Sequence, residues 1–289
     1  MHYEGNMIRP PSEAHSILLQ ATVGCSHNKC TFCGAYKGGR FKIKPDAIID
    51  ADIDFAATHC RRQRRLFICD GDALIIPQKR LLRILQAIRE RLPWVTRVGV
   101  YANTKSIHMK TADELAELRA NGIGIAYLGL ESGDDTTLKA VHKGADARRM
   151  IAAGQKIRSA GIKLSVTVLL GIAGRERSTI HAQETGRVIS AIDPEYVGAL
   201  SLMLIPGTPL YDDYQAGRFE LLSAEAMLHE LGIMITNTHM SGGLFHANHA
   251  SNYLPLKLKM PADKENALDL IDRALKGEIS LKPESMRAL

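Results

Sequence analysis

Six short apolar runs alternate with segments whose apolar residues recur at helical spacing, and this alternation strongly constrains the fold. The runs are mostly continuous, as expected for strands buried on both faces of a parallel sheet. The predicted strands cover residues 16–23, 65–69, 97–101, 124–130, 163–170 and 196–204. The helices predicted between them cover residues 45–58, 78–90, 111–121, 145–160 and 179–191. We therefore predict an α/β fold, an open and partial (β/α)6 barrel with parallel strands and a C-terminal extension.

Length and charge narrow the class of protein. The 289 residues fit one large domain with an appendage, which we place as a core domain over residues 14–232 and a capping extension over residues 233–289. The amino-terminal stretch is polar and carries prolines, unlike a signal peptide, and no apolar run reaches the roughly 20 residues that span a bilayer. We therefore expect a cytoplasmic protein without a membrane partner. The net charge of +6 is a small basic excess, so nucleic acid stays an alternative partner.

Three of the five cysteines, Cys25, Cys30 and Cys33, lie within nine residues of each other, directly after the first predicted strand. Thiolates are ligands for iron–sulfur clusters, zinc and copper(I). Protein cysteines normally supply one thiolate to each of the four irons of a cubane cluster, so three cysteines leave one iron open for a small molecule. A structural zinc site completed by His27 is the alternative. An odd number of cysteines fits a reducing compartment better than a disulfide framework.

Polar or glycine-rich residues follow every predicted strand. Parallel β/α proteins place their chemistry at the carboxyl ends of the strands, so these residues are expected on one rim together with the cysteine loop. Beyond that loop, the segments concerned are residues 70–73, 102–104, 131–133, 171–174 and 206–209.

Four of these segments resemble motifs of the radical S-adenosylmethionine (SAM) enzymes. The cysteine loop, with an aromatic residue before its last cysteine, resembles the family's cluster loop, although four residues rather than three separate its first two cysteines. Asp70-Gly71-Asp72 resembles the Gly-Gly-Glu motif that holds the SAM amino group. Residues 128–133 resemble the GLES segment after the fourth strand, and residues 205–210 resemble the PGTPL turn of the methylthiotransferase and HemN-like branches. The resemblance implies a TIM-like partial barrel, as in the Elp, MiaB and HemN-like enzymes.

The same resemblance implies two cofactors, a [4Fe–4S] cluster ligated by Cys25, Cys30 and Cys33, and SAM bound at the open iron. One electron from a donor such as flavodoxin or ferredoxin would cleave SAM to methionine and a 5′-deoxyadenosyl radical, which abstracts hydrogen from a substrate. Within the site, Glu131 is expected at the ribose, and Arg148 at the SAM carboxylate with Lys143 and Arg149 as alternatives. The predicted SAM-binding residues are Phe32, Asp70, Gly71, Asp72, Asn103, Glu131, Ser132, Arg148, Gly171 and Pro206.

The stretch over residues 241–256 is dense in hydrogen-bonding side chains and is expected to cover the open side of the barrel and contact the substrate. Ordinary loop composition is the alternative interpretation. The residues predicted to contact substrate are His246, Asn248, His249, Asn252 and Tyr253. Nothing in the sequence identifies that substrate: the extra cysteine of HemN-type enzymes and a second cysteine trio are both missing. A non-catalytic iron–sulfur or zinc protein, and a tRNA- or nucleic-acid-modifying member of the superfamily, stay as alternatives.

Overall fold

Strands and helices alternate along the chain in the computed structural model, which describes residues 1–5 and 7–288. The strands are β1 (Ile17–Leu19), β2 (Thr22–Val23), β3 (Lys42–Ile43), β4 (Arg65–Ile68), β5 (Arg97–Ala102), β6 (Ile123–Glu131), β7 (Lys163–Leu170), β8 (Tyr196–Ser201), β9 (Leu244–Ala247) and β10 (Leu256–Lys259). Within the described residues, all of them except β2 and β3 belong to a mostly parallel sheet of eight strands, which confirms the predicted α/β fold class. The last residue of the predicted extension, Leu289, lies outside the described residues.

The helices fill the intervals between the strands. They are α1 (Asp46–His59), α2 (Gln78–Arg91), α3 (Thr104–Met109), α4 (Ala112–Ala120), α5 (Asp135–Ala140), α6 (Ala147–Ser159), α7 (Gly174–Ile192), α8 (Pro209–Gln215), α9 (Ala224–Thr236) and α10 (Lys264–Leu275). Side chains cap several of them: Thr111 and Glu114 form a capping box at the start of α4, and Asn103 caps α3. Among the helices that the structure describes, none combines the length and the hydropathy of a membrane-spanning segment.

The chain divides into two compact units, and the predicted boundary between residues 232 and 233 stays a prediction. The first unit comprises residues 1–28, 35–128 and 156–164. Its strands pair in parallel in the order β1-β4-β5-β6, with Leu18 opposite Phe67 in the first pair. The predicted strand over residues 16–23 is two strands, because the chain leaves β1 after Leu19 and β2 pairs antiparallel with β3.

The second unit comprises residues 29–34, 129–155 and the chain from Ser165 onward. Here β7, β8 and β9 pair in parallel, and β10 runs antiparallel to β9. The stretch over residues 241–256 is therefore not a plain loop, since it contains β9 and enters β10. His246 lies on β9, opposite Gly198 of β8 and Lys257 of β10.

Burial differs among the strands. Residues 66–68 of β4 are all buried, as predicted for a strand covered on both faces. In β7, buried Leu164, Val166 and Val168 alternate with more exposed residues, so one face of this strand is only partly covered. Aromatic rings of the first unit meet edge to face, with ring centroids 5.0 Å apart for Phe67 and Tyr101.

Candidate functional site

The turn after β4 packs directly against the first cysteine of the loop. A β-carbon placed on Gly71 would lie 2.7 Å from Cys25 Cβ, so glycine is the residue that fits between them. The Gly71 amide also donates a hydrogen bond of 3.1 Å to the carbonyl of Gly24, the residue before Cys25. The position of Cys25 is therefore coupled to the turn at the end of β4.

Asp70, the first residue of this turn, holds the start of the cysteine loop. Its Oδ2 atom accepts hydrogen bonds from Gln20 Nε2 at 2.8 Å and from the Gly24 amide at 3.2 Å. Burial raises the pKa of Asp70 above its usual value, and these two donors lower it in part. Its other oxygen, Oδ1, is buried and has no hydrogen-bond partner among the described residues. The backbone of Asp70 lies in the left-handed region, with φ of 73°.

Asp72 holds the loop on the other side of Cys25. Its Oδ2 atom accepts hydrogen bonds from Ser26 Oγ at 2.6 Å and from Asn103 Nδ2 at 2.7 Å. Asp72 is fully buried, and burial raises its pKa to about 6. As in Asp70, the Oδ1 atom is buried without a partner among the described residues. The two aspartates thus present two desolvated acceptor oxygens beside Cys25, an arrangement that suits a cationic ligand.

Cys30 and Cys33 lie in the second unit, whereas Cys25 lies in the first. Backbone hydrogen bonds fix the residue after Cys30: the Thr31 amide donates to Val141 O at 3.0 Å, and Thr31 O accepts from the Leu210 amide at 3.1 Å. All three cysteine side chains are of intermediate exposure. Within the part of the chain that the structure describes, no group of three or more His, Cys, Asp or Glu side chains is gathered as a metal-ion site, so the predicted ligand trio stays a prediction.

Phe32 packs into an apolar cluster of the second unit with Val141, Ile172, Leu202 and Leu210. This contact gives the ring a role in the core, and the predicted contact with adenine stays a prediction.

Glu131 ends β6 with its backbone in the left-handed region, at φ of 63°. Its Oε1 atom accepts a hydrogen bond of 2.9 Å from Lys143 Nζ, and both side chains are partly buried. A β-carbon on Gly129 would lie 2.3 Å from the same Oε1 atom, so the missing side chain makes room for the pair. The predicted ribose acceptor is thus paired with one of the three cations considered for the SAM carboxylate. Arg148, on α6, is exposed.

Ser132 and the residues after it are buried and tied to α7. The Ser132 hydroxyl lies 2.8 Å from His181 Nδ1, and it accepts a hydrogen bond from the Asp134 amide at 3.0 Å. Asp134 caps α5 through Thr137 and accepts two hydrogen bonds from Arg177, of 2.9 and 2.8 Å. Burial opposes the charge of Asp134, but the hydrogen bonds from Arg177 and Thr137 outweigh it and hold the pKa of Asp134 well below its usual value.

Gly171 follows β7 with φ of 80°, a conformation that favours glycine. Its amide donates a hydrogen bond of 2.7 Å to Glu230 Oε1 on α9. Pro206, the last of the predicted SAM contacts, is exposed in the turn before α8.

The residues predicted to contact substrate are partly engaged inside the second unit. Asn252 is buried, accepting from Ser201 Oγ at 2.8 Å and donating to Ala199 O at 2.8 Å. The ring of Tyr253 lies 4.2 Å from the guanidinium carbon of Arg287, and its hydroxyl donates a hydrogen bond of 2.5 Å to Glu284. His249 Nδ1 lies 2.9 Å from the Ser251 hydroxyl, and Asn248 is exposed. Their roles toward substrate stay predictions.

Comparison with known proteins matches the family model described as the radical SAM superfamily over residues 19–182, which is more than half of the chain. The chain belongs to the radical SAM superfamily. The match begins at the end of β1 and includes the cysteine loop and both motifs that follow β4 and β6. Members of this superfamily are enzymes that use a [4Fe–4S] cluster and SAM, which supports the two predicted cofactors.

Individual relatives are distant. The uncharacterized protein MJ0486 of Methanocaldococcus jannaschii is 26% identical over 218 residues, covering 71% of this chain and 66% of its own length. Among solved structures, methylornithine synthase PylB has a TM-score of 0.55 at 16% identity, covering 78% of this chain and 63% of PylB. The radical SAM methyltransferase TsrM of Kitasatospora setae, solved with cobalamin and a [4Fe–4S] cluster, has a TM-score of 0.57 at 16% identity, covering 93% of this chain and 55% of TsrM.

These likenesses support the fold and leave the reaction open. The chain spans less than two thirds of the length of MJ0486, PylB and TsrM. The structural neighbours share the mostly parallel α/β architecture, in agreement with the predicted partial barrel.

Five polar residues at the candidate site were missed from the sequence. Gln20 and Ser26 support the aspartates after β4, and Arg177, His181 and Glu230 support the turns after β6 and β7. Ser26 lies inside the cysteine loop but is not one of its cysteines, the other four lie in no motif, and the partner named above for each is at least 43 residues away in the sequence. The polar character of Gln20 inside an apolar strand run was the one signal that could have singled out a member of this group.

Proposed function

We propose that the chain cleaves SAM reductively at a [4Fe–4S] cluster held by Cys25, Cys30 and Cys33. The observation that carries this proposal is the turn after β4. Its two aspartates each present a buried oxygen without a partner among the described residues, and Gly71 between them packs against Cys25. Buried acceptors of this kind are costly unless a ligand pairs with them, and the SAM ammonium is such a ligand. When bound, the cluster and SAM supply an electron path and a 5′-deoxyadenosyl radical.

The residues present fit this cofactor pair. Three cysteine side chains of intermediate exposure supply soft ligands for three irons. Asp70 and Asp72 accept the ammonium of SAM, while Gln20, Ser26 and Asn103 hold their other oxygens in place. Glu131, oriented by Lys143, accepts hydrogen bonds from the ribose hydroxyls. In this proposal the protein binds and orients SAM and keeps water from the radical.

Reductive cleavage of SAM also requires a one-electron donor such as flavodoxin or ferredoxin. The radical would then act on a substrate, whose chemical class is not identified. Membership in the superfamily supports the need for a reductant and a substrate. A reducing, cytoplasmic setting is supported by the odd number of cysteines.

The test is SAM cleavage by anaerobically reconstituted protein, measured as methionine and 5′-deoxyadenosine after addition of a strong reductant. Cys30→Ala is expected to abolish both products, because it removes a proposed cluster ligand. Cys60→Ala is the matched control: this cysteine is also partly exposed but follows α1, and the variant is expected to retain cleavage. Cleavage at the wild-type rate by Cys30→Ala would falsify the ligand assignment, and a protein that retains zinc and takes up no iron would favour the structural-zinc alternative.

A further inference from the structure

Two buried titratable residues of the second unit, His181 on α7 and Glu230 on α9, have no role in the proposed chemistry. Both side chains are fully buried, and His181 Nε2 lies 3.5 Å from Glu230 Oε1. A buried polar pair is expensive unless its hydrogen bonds are made, and apolar residues of similar size would fill the same space at lower cost. The hydrogen bonds that the two side chains make therefore indicate their role.

Each member of the pair contacts a different turn of the candidate site. His181 Nδ1 lies 2.8 Å from the Ser132 hydroxyl, in the turn after β6. Glu230 Oε1 accepts the Gly171 amide at 2.7 Å, in the turn after β7, and its Oε2 accepts from Ser178 at 2.5 Å. Each member of the pair is thus hydrogen-bonded to the end of a different strand, whereas the 3.5 Å contact between the two side chains is not a hydrogen bond.

A further hydrogen bond joins the turn after β6 to α7. Thr185, one helical turn after His181, accepts a hydrogen bond of 2.8 Å from the Gly133 amide. A β-carbon on Gly133 would lie 2.3 Å from Glu184 O, so the turn after β6 lies directly against the backbone of α7. A shift of α7 must therefore move this turn as well.

Burial favours the neutral form of both side chains. It lowers the pKa of His181 to about 4 and raises the pKa of Glu230 to about 7. The carboxylate of Asp134 acts in the opposite direction on the pKa of His181, and it is ion-paired with Arg177. At neutral pH the imidazole of His181 is uncharged. Only one of its two nitrogens then carries a proton, and the other can accept a hydrogen bond from a hydroxyl.

We propose that His181 and Glu230 are positioning residues that hold the turn after β6, through the Ser132 hydroxyl, and the turn after β7, through the Gly171 amide, in the geometry that binds SAM. This inference rests on the proposed function and on the SAM contacts predicted from the sequence for Ser132 and Gly171. It assigns to the α7–α9 pair an effect on SAM affinity that is separate from any effect on stability. Neither residue contacts the reacting atoms, so neither is a catalytic residue.

The first arm of the test measures SAM affinity by calorimetry on anaerobically reconstituted protein. His181→Phe keeps an aromatic ring and removes the nitrogen that faces Ser132, so the dissociation constant is expected to rise about tenfold. His181→Asn, whose amide oxygen can accept from Ser132, is expected to restore most of the affinity. The double variant His181→Phe/Ser132→Ala should bind SAM no more weakly than the weaker-binding of the two single variants, because both changes remove the same hydrogen bond.

Val188→Ala is the matched control, since Val188 is also buried on α7 but carries no polar group that could bond to the pair. It is expected to lower the free energy of unfolding and leave SAM affinity unchanged. If His181→Phe and Val188→Ala lose affinity equally, or if the double variant shows additive losses, the positioning role is overturned.

The second arm needs no cofactor. Hydrogen exchange measured by mass spectrometry on cluster-free protein should show faster exchange at Gly171 in Glu230→Ala, and protection close to wild type in Glu230→Gln. Unchanged exchange in Glu230→Ala overturns the inference. If wild-type holoprotein binds no SAM, the proposed function and this inference fail together; if wild type binds SAM and His181→Phe binds it equally well, this inference fails alone.

Discussion

Gly71→Ala is expected to displace Cys25. The added β-carbon would lie 2.7 Å from Cys25 Cβ, 3.0 Å from Cys25 Cα and 3.0 Å from Tyr36 Cε2. Carbon atoms in contact normally lie about 3.5–4.0 Å apart, so the cysteine or the turn must move by about 1 Å. Two of the three contacts are made by the cysteine's own Cα and Cβ, which cannot rotate away as the end of a flexible side chain would.

The size of the effect follows from this geometry. Overpacking in a well-packed interior costs about 1–3 kcal/mol, so the free energy of unfolding should fall by that amount. A misplacement of about 1 Å at a site can reduce catalysis about 100-fold, and SAM cleavage should fall on that scale. Iron content per chain after reconstitution should fall as well, because the displaced thiolate is a proposed cluster ligand.

The assays are iron content, the rate of SAM cleavage and urea unfolding of the cluster-free protein. Gly39→Ala is the control in the same unit, since the nearest atom to its β-carbon would be Tyr36 O at an ordinary 3.5 Å. This control should keep iron and cleavage near wild type. Wild-type iron content and cleavage in Gly71→Ala would refute the reasoning that couples this turn to Cys25.

Two further predictions concern the aspartates. Asp72→Asn should raise the SAM dissociation constant about 10- to 150-fold at unchanged iron content, because it removes a charge-assisted acceptor worth about 1.5–3 kcal/mol; unchanged affinity in calorimetry would remove Asp72 from the site. Asp134→Ala should lower the free energy of unfolding by about 2 kcal/mol at neutral pH, through loss of the α5 cap and the Arg177 pair, whereas Asp213→Ala at an exposed pair should cost well under 1 kcal/mol. The pKa of Asp134 is lowered on folding, so its contribution is present above the usual value of 3.8 and is lost as the pH falls through the folded pKa; a difference between wild type and variant that persists in strong acid would contradict this cause.

Most of the predicted strands and helices have counterparts in the structure at nearly the same residues. The run over residues 163–170 matches β7 at both ends, because its apolar residues stop at Gly171, where the backbone turns. The prediction of a single strand over residues 16–23 was wrong. Gln20 turns its side chain to Asp70, which lies 50 residues further along the chain. The strands β9 and β10 were missed because β8 supplies the edge on which β9 forms, and a local pattern carries no information about that edge.

The candidate site was likewise predicted only in part from the sequence. Cys25, Asp72 and Glu131 could be named because each lies in a short motif at the end of a strand run. His181 and Glu230 could not, because a lone histidine or glutamate in a helical pattern normally faces solvent. Their importance depends on burial and on partners that only the folded chain brings together.

Asp70 and Glu131 share a feature with a consequence for protein engineering. Both are non-glycine residues with positive φ at strand ends, a conformation that costs such residues about 1–2 kcal/mol and that glycine adopts freely. Directed evolution for heat resistance alone would therefore reward glycine at either position and discard a carboxylate in each case. A library intended to make a more robust form of this protein should keep positions 70 and 131 fixed and seek its gains elsewhere.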